Sequence, residues 1–196
     1  MRVARSRGLY IFGIIVVAIS ITLVVPTSAA GHLTIINSQN SVTGNSLNAQ
    51  ITVSGVIPID GNAGAFGYAV ETGSSTNNVL ALLTHKPIDD SPSADELSGF
   101  HVHVLDLRLV NATDSTDPCL GQDAEIDTAS SQQNVGYNSR TAWRTDGNVA
   151  YINGVPADQL NSGTVSKVVA FTINPFPNAY NPQHLCIDIV GSGVGQ

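Results

Sequence analysis

In LNAQITVSGV, residues 47–56, apolar side chains fall on alternate positions, with Leu47, Ala49, Ile51 and Val53 on one side. That is the period of an extended strand, not of a helix. After residue 30 the pattern recurs in short segments separated by Gly, Asn, Ser and Pro, with no helical periodicity between them. Residues 66–70 and 79–83 read as short apolar strands bounded by GSSTNN, and residues 99–110 (GFHVHVLDLRLV) as the longest strand. AWRTDGNVAYI, residues 142–152, reads as a hairpin turning at Asp146-Gly147. Residues 165–173 and 184–190 complete the set. Roughly eight strands with frequent turn residues predict an all-β chain, an antiparallel β-sandwich. Polar loops are expected at 86–98 and 111–133, and GSGVGQ at the end reads as a flexible tail.

Residues 1–30 belong to a different class. Arg2, Arg5 and Arg7 precede an apolar run from Leu9 to Val25, and small residues follow at 26–31. This order predicts a signal helix for export, cleaved as a signal peptide or retained as an N-terminal membrane anchor. Residues 31–196 are then a single domain outside the cytoplasm, in the cell envelope or extracellular. The full chain has a net charge of −7; without the leader, five basic residues face fifteen acidic ones, a charge of −10. So acidic a surface excludes nucleic acid as a partner and disfavours anionic lipid, leaving contact with a membrane to the N-terminal segment alone. It suits cation binding and solubility.

Cys119 and Cys186 are the only cysteines. In an exported chain they are expected to pair as a disulfide. His101 and His103 lie two apart in a strand, so both imidazoles face one side, a way to supply two ligands to copper or zinc. Leu105, Leu107 and Leu109 share their parity while Phe100, Val102 and Val104 take the other. The apolar side thus changes at Val104–Leu105, which predicts a bulge or a strand buried on both faces. His85 is a candidate third ligand, and Asp89 or Asp90 a carboxylate neighbour.

Two resemblances bear on these residues. GFHVH, a loop cysteine and a second cysteine near the end in HLCIDIVGSGVGQ resemble the Cu,Zn superoxide dismutases, and with the strand pattern leave an immunoglobulin-like or superoxide-dismutase-like sandwich as the expected fold. His184 is the only histidine after His103, so the dinuclear site of that family cannot be assembled here. Over most of the mature chain, the order Thr84-His85, Asp90-Ser91, His101-x-His103, Cys119, VVAF at 168–171 with Pro175, and Cys186 resembles small exported proteins of ammonia-oxidising archaea. That resemblance implies convergence of His85, Asp90, His101 and His103.

Other features compete. Leader cleavage after Ala29 would leave Ala30-Gly31-His32, a Cu(II) chelator; cleavage after Gly31 would expose His32 itself, and cleavage after Ala30 does neither, leaving a flexible end. Asp123, Glu125 and Asp127 lack the glycine and terminal glutamate of a calcium loop and read as a solvated acidic face. Asn111-Ala112-Thr113 is an acceptor sequon for N-glycosylation. Trp143, Tyr137 and Tyr151 offer a glycan platform, with a buried core role for Trp143 as the alternative. There is no GxSxG, phosphate loop or dinucleotide fingerprint. The sequence is therefore expected to specify a binding protein of the cell envelope holding one Cu or Zn ion. A metal-free structural or adhesion module, contacting a cell-surface protein or glycan, is the alternative, and a metal-dependent enzyme the third.

Overall fold

The computed structural model describes residues 31–72, 78–86, 95–128, 138–139, 142–156, 158, 165–176 and 184–193. Residues 1–30, the expected leader, and Asp89, Asp90 and Tyr137 lie outside the described residues. A 3-10 turn, Gly31–Leu33, opens the domain. Twelve strands follow: β1 Ile35–Thr43, β2 Ser46–Val53, β3 Phe66–Thr72, β4 Val79–Thr84, β5 His101–Leu105, β6 Leu107–Leu109, β7 Ala124–Ile126, β8 Asn138–Ser139, β9 Trp143–Asp146, β10 Val149–Pro156, β11 Val165–Phe176 and β12 His184–Gly193. They form two antiparallel sheets, in the orders β1-β2-β10-β9 and β6-β7-β12-β11-β3-β4-β5-β8. The expected β-sandwich is what the chain adopts.

The alternation of β2 translates directly into packing, since Leu47, Ala49, Ile51 and Val53 are buried and the residues between them are half-buried. With Ala150 and Ile152 of β10 they meet Tyr68, Val70, Leu80, Leu82, Phe100, Val102 and Val104 of the larger sheet. A second apolar cluster occupies the opposite face of the larger sheet, with Ala69, Ala81, Leu83, Leu105, Ile126, Phe171 and Ile187. A flat sheet would expose that face to water. It does not, because β5 and β6 stand six places apart in the hydrogen-bonded order while only Asp106 separates them along the chain. Six flat strand spacings span about 29 Å, whereas two virtual bonds reach less than about 8 Å. The sheet must therefore roll up until its far strands approach. A cavity of about 20 Å³ inside the roll is lined jointly by Ala69, Val79, Leu105, Leu107, Phe171 and Ile187, from strands that a flat sheet would keep apart.

Rolling accounts for the double apolar pattern of residues 99–110: β5 faces both cores, and the strand breaks at Asp106. The disulfide Cys119–Cys186 ties the loop after β6 to β12, with the Cα atoms 5.3 Å apart and 67 residues between them in sequence.

Residues 99–110, expected as the longest strand, are two short ones, and β11 is longer; three further readings change, and one strand is not read at all. β1 escapes the period-two signal because IINSQNSVT buries only Ser38. β7 lies inside the stretch expected to be loop, where Ala124, Glu125 and Ile126 are all buried. The two-residue turn is Gly147-Asn148, one step later than expected, with Asp146 paired to Val149 and Gly147 at φ +59°. The GSG of the expected tail is strand, since Gly191, Ser192 and Gly193 pair with Ala170, Val169 and Val168. Glycine there has a steric reason: a Cβ on Gly191 would stand 2.4 Å from the Leu33 carbonyl oxygen.

Gly191→Ala is accordingly expected to lower unfolding free energy by roughly 1–3 kcal/mol, as overpacking does, when measured by urea denaturation. Removing the bridge with Cys119→Ser/Cys186→Ser is expected to cost up to about 4 kcal/mol in the loop-entropy account. A double variant as stable as the wild type would mean the bridge constrains nothing.

Candidate metal centre

β4 and β5 bring three imidazoles together. Their register sets Leu83 opposite His101 and Ala81 opposite His103. Continued past Thr84, it sets His85 opposite Gly99. Opposed residues in an antiparallel pair share a face, so His85, His101 and His103 all lie on the inner face of the roll, alongside Leu105. Each offers a ring nitrogen, and these atoms all lie within 4.8 Å of one another. His101 is fully buried, and the other two are half-buried. The ring centroids of His101 and His103 are 4.4 Å apart, and those of His85 and His101 4.9 Å.

The turn before β5 orients the set. Asp95 accepts from the amides of Leu97 and Ser98 and from the Ser98 hydroxyl, while Thr84 Oγ1 donates to the Ser98 carbonyl at 2.7 Å. Gly99 takes φ +73°, and a Cβ there would strike Thr84 Oγ1 at 2.8 Å, so only glycine fits. Its carbonyl accepts from His101 Nδ1 at 2.8 Å. Because a carbonyl can only accept, Nδ1 carries the proton and neutral His101 presents an unprotonated Nε2. His85 Nε2 lies 3.2 Å from it. Burial holds the His103 pKa down at about 3, helped by repulsion from charge on His101 and His85, so that ring is neutral near pH 7. Neutral imidazoles are the form that binds metal.

A second group, Asp117, Cys119 and Glu125, also converges, but its donors are committed. Cys119 is in the disulfide. Arg108 of β6 donates to both Asp117 oxygens, at 2.8 and 3.2 Å, and to Glu125 Oε2. With the amides of Cys119 and Asn111, the Arg108 guanidinium holds the Asp117 carboxyl well below the usual carboxylate range. The other oxygen of Glu125 meets His184 Nδ1 at 2.6 Å. This ion-pair network ties the loop after β6 to β12 and leaves no carboxylate to spare for a cation. Sequence reasoning missed it; the signal was Arg108, a lone basic residue between apolar neighbours ahead of an acidic loop.

The remaining candidates separate. Glu125 is buried rather than part of a solvated face, and Asp123 accepts from the Ile189 amide. His32 is not on a flexible end. The Gly31 carbonyl accepts from the Gly55 amide and the Ser54 hydroxyl, and the His32 ring packs edge-on to Phe66 at 4.7 Å. The 3-10 turn they occupy is not the extended wrap of a square-planar chelate. Trp143 pairs with Ile152 and packs inward on Phe100, while Tyr151 pairs with Arg144 on the outer face beneath its guanidinium. Those two aromatic rings therefore cannot share a platform. Asn111 lies in an exposed turn, where its side-chain oxygen accepts from the Thr113 amide and hydroxyl.

Half-buried, neutral His103 ties stability to pH. Unfolded, it takes up a proton below about 6.5; folded, only near pH 3. The stabilising preference is complete above pH 6.5 and is lost as pH falls, by up to about 1.4 kcal/mol per pH unit. Urea titrations of the chelator-treated protein from pH 7 to pH 4 should show this slope, and His103→Gln should flatten it by about one proton. An unchanged slope in the variant would place the linked proton elsewhere.

No family model, curated protein or solved structure matches this chain, so the case for the site rests on its own geometry.

Proposed function

We propose that this is an exported protein of the cell envelope that binds one copper or zinc ion through His85, His101 and His103. The observation that carries the reading is the 3.2 Å between the Nε2 atoms of His85 and His101. Two nitrogens bound to one tetrahedral metal at about 2.0–2.1 Å stand about 3.3–3.4 Å apart. The pair therefore already holds the ligand spacing, and His103 faces the same side of the strand. A bound cation would take the place of the proton between the two rings, which neutral His85 would then carry on Nδ1. The Gly99 carbonyl keeps His101 in the required tautomer and raises its basicity. Asp90, in the loop between His85 and His101, is proposed as a fourth ligand or as a hydrogen-bond partner to one of the rings.

Binding and delivery of metal is the reading that a set of three converging imidazoles supports. The acidic surface raises local cation concentration. A metal-free surface module remains the competing class, and metal content separates the two. Protein exported by an expression host, equilibrated with Cu(II) or Zn(II) and dialysed, should retain about one ion per chain. The His101→Ala/His103→Ala variant, checked for native circular dichroism, should retain almost none. Equal retention in the variant would remove the three histidines from the site, and no retention in either would favour the metal-free module.

A further inference from the structure

Four strands border the two sheets: β1 and β9 in one, β6 and β8 in the other. β6 has three residues and carries Arg108, β8 has two, and β9 has four, including Arg144 and Asp146. Short or charged edges are how sheets avoid recruiting a foreign strand. β1 has neither protection. Its nine residues, IINSQNSVT, contain no charge and no proline, and among the described residues no strand pairs with its far side. An irregularity between Ile35 and Asn37 disturbs only its start; from Asn37 to Thr43 its register against β2 is unbroken. The uncharged surface continues inward, where Asn48, Gln50, Tyr151 and Asn153 border a shallow polar depression beside β1.

Two large hydrophobic residues stand exposed on this strand, Ile36 at 61% and Val42 at 47%. They lie three residues to either side of Gln39, itself exposed. We propose that β1 is a self-association strand: a second copy of this chain adds to it antiparallel, about a two-fold axis at Gln39. In that register Asn37 lies opposite the partner's Ser41 and Gln39 opposite the partner's Gln39, while Val42 meets the irregular start of the partner's strand at Ile36. Both exposed hydrophobic residues then lie within one symmetric contact. The choice of a second copy follows from this symmetry and from charge. Chains of net charge −7 repel over most of their surface, and β1 is an edge where two copies can meet without opposing carboxylates. The pairing joins two four-stranded sheets into one of eight. One strand-to-strand contact is expected to bury less than the roughly 1,600 Å² of a standard stable interface, so the dimer should be concentration-dependent. The contact lies in the other sheet from the histidines and does not depend on metal.

Sedimentation equilibrium of the exported protein, over about a hundredfold range of concentration, should show the mass rising from one chain towards two. Gln39→Lys sets like charges directly opposite each other and should weaken association at least tenfold, with an unchanged circular dichroism spectrum because Gln39 is exposed. Directly opposed Cβ atoms lie about 4.5–5.5 Å apart, close to disulfide reach. Mild oxidation should therefore cross-link Gln39→Cys into a covalent dimer and leave Thr116→Cys, on an exposed loop, uncross-linked. Mass of a single chain at every concentration overturns the proposal. So does a dimer that Gln39→Lys leaves intact, or a Gln39→Cys chain that fails to cross-link where the wild type dimerises.

Discussion

One residue, Asp106, separates β5 from β6, and the larger sheet takes its shape from that connection. Strands six places apart in the ladder are joined by a link too short for a flat sheet, so the sheet rolls and gains a second interior. Everything near the candidate site follows. The face of β4 and β5 that carries His85, His101 and His103 becomes an inner face, and burial there lowers the pKa of His103. Without the roll, the same three residues would be solvated side chains on an open sheet, and His103 would lose the burial that lowers its pKa.

The roll is secured at its other margin by polar chemistry. β6 and β7 are three-residue strands, too short to be held by their ladder alone. Arg108 joins them by bridging Asp117 and Glu125, and the disulfide fastens the intervening loop to β12. Ion pairs with one exposed partner contribute modestly, but several donors on one carboxylate make a directional clamp, and the covalent bridge limits how far the loop can depart in the unfolded chain. The two converging clusters of metal-ligand residue types thus part ways on chemistry. In one, both carboxylates are held by Arg108 and the sulfur is used. In the other, three imidazole nitrogens converge, and the His101 ring is oriented by the Gly99 carbonyl.

Strands that bury one whole face, such as β2, were legible because alternation and burial are the same physical fact. β1 was not, since its residues are almost all polar and exposed, and pairing with β2 rather than burial makes it a strand. β7 was hidden because three residues are too few to show a period. The switch of apolar side at Val104–Leu105 was visible, but its cause, a sheet curling on itself, depends on which strands pair and leaves no local trace. For the site, strand parity placed His101 and His103 side by side, and the loop length allowed His85 to return to them. The role of Gly99 was illegible: nothing in SGFHVHV marks a left-handed glycine whose carbonyl fixes a histidine proton. The aromatic platform failed for a reason parity contains, since Trp143 and Tyr151 are opposed to residues on different faces of one sheet.

β5 has packing obligations on both of its sides. Phe100, Val102 and Val104 are measured against one interior, His101, His103 and Leu105 against the other, and no position along it is left to solvent alone. Neutral drift, which in most strands proceeds on the wet face, has almost no room here. Changes along this strand should come as coupled, volume-conserving exchanges with Leu80, Leu82 or Leu83 across the ladder. A lineage that gave up the histidines would still need something of imidazole size in their place.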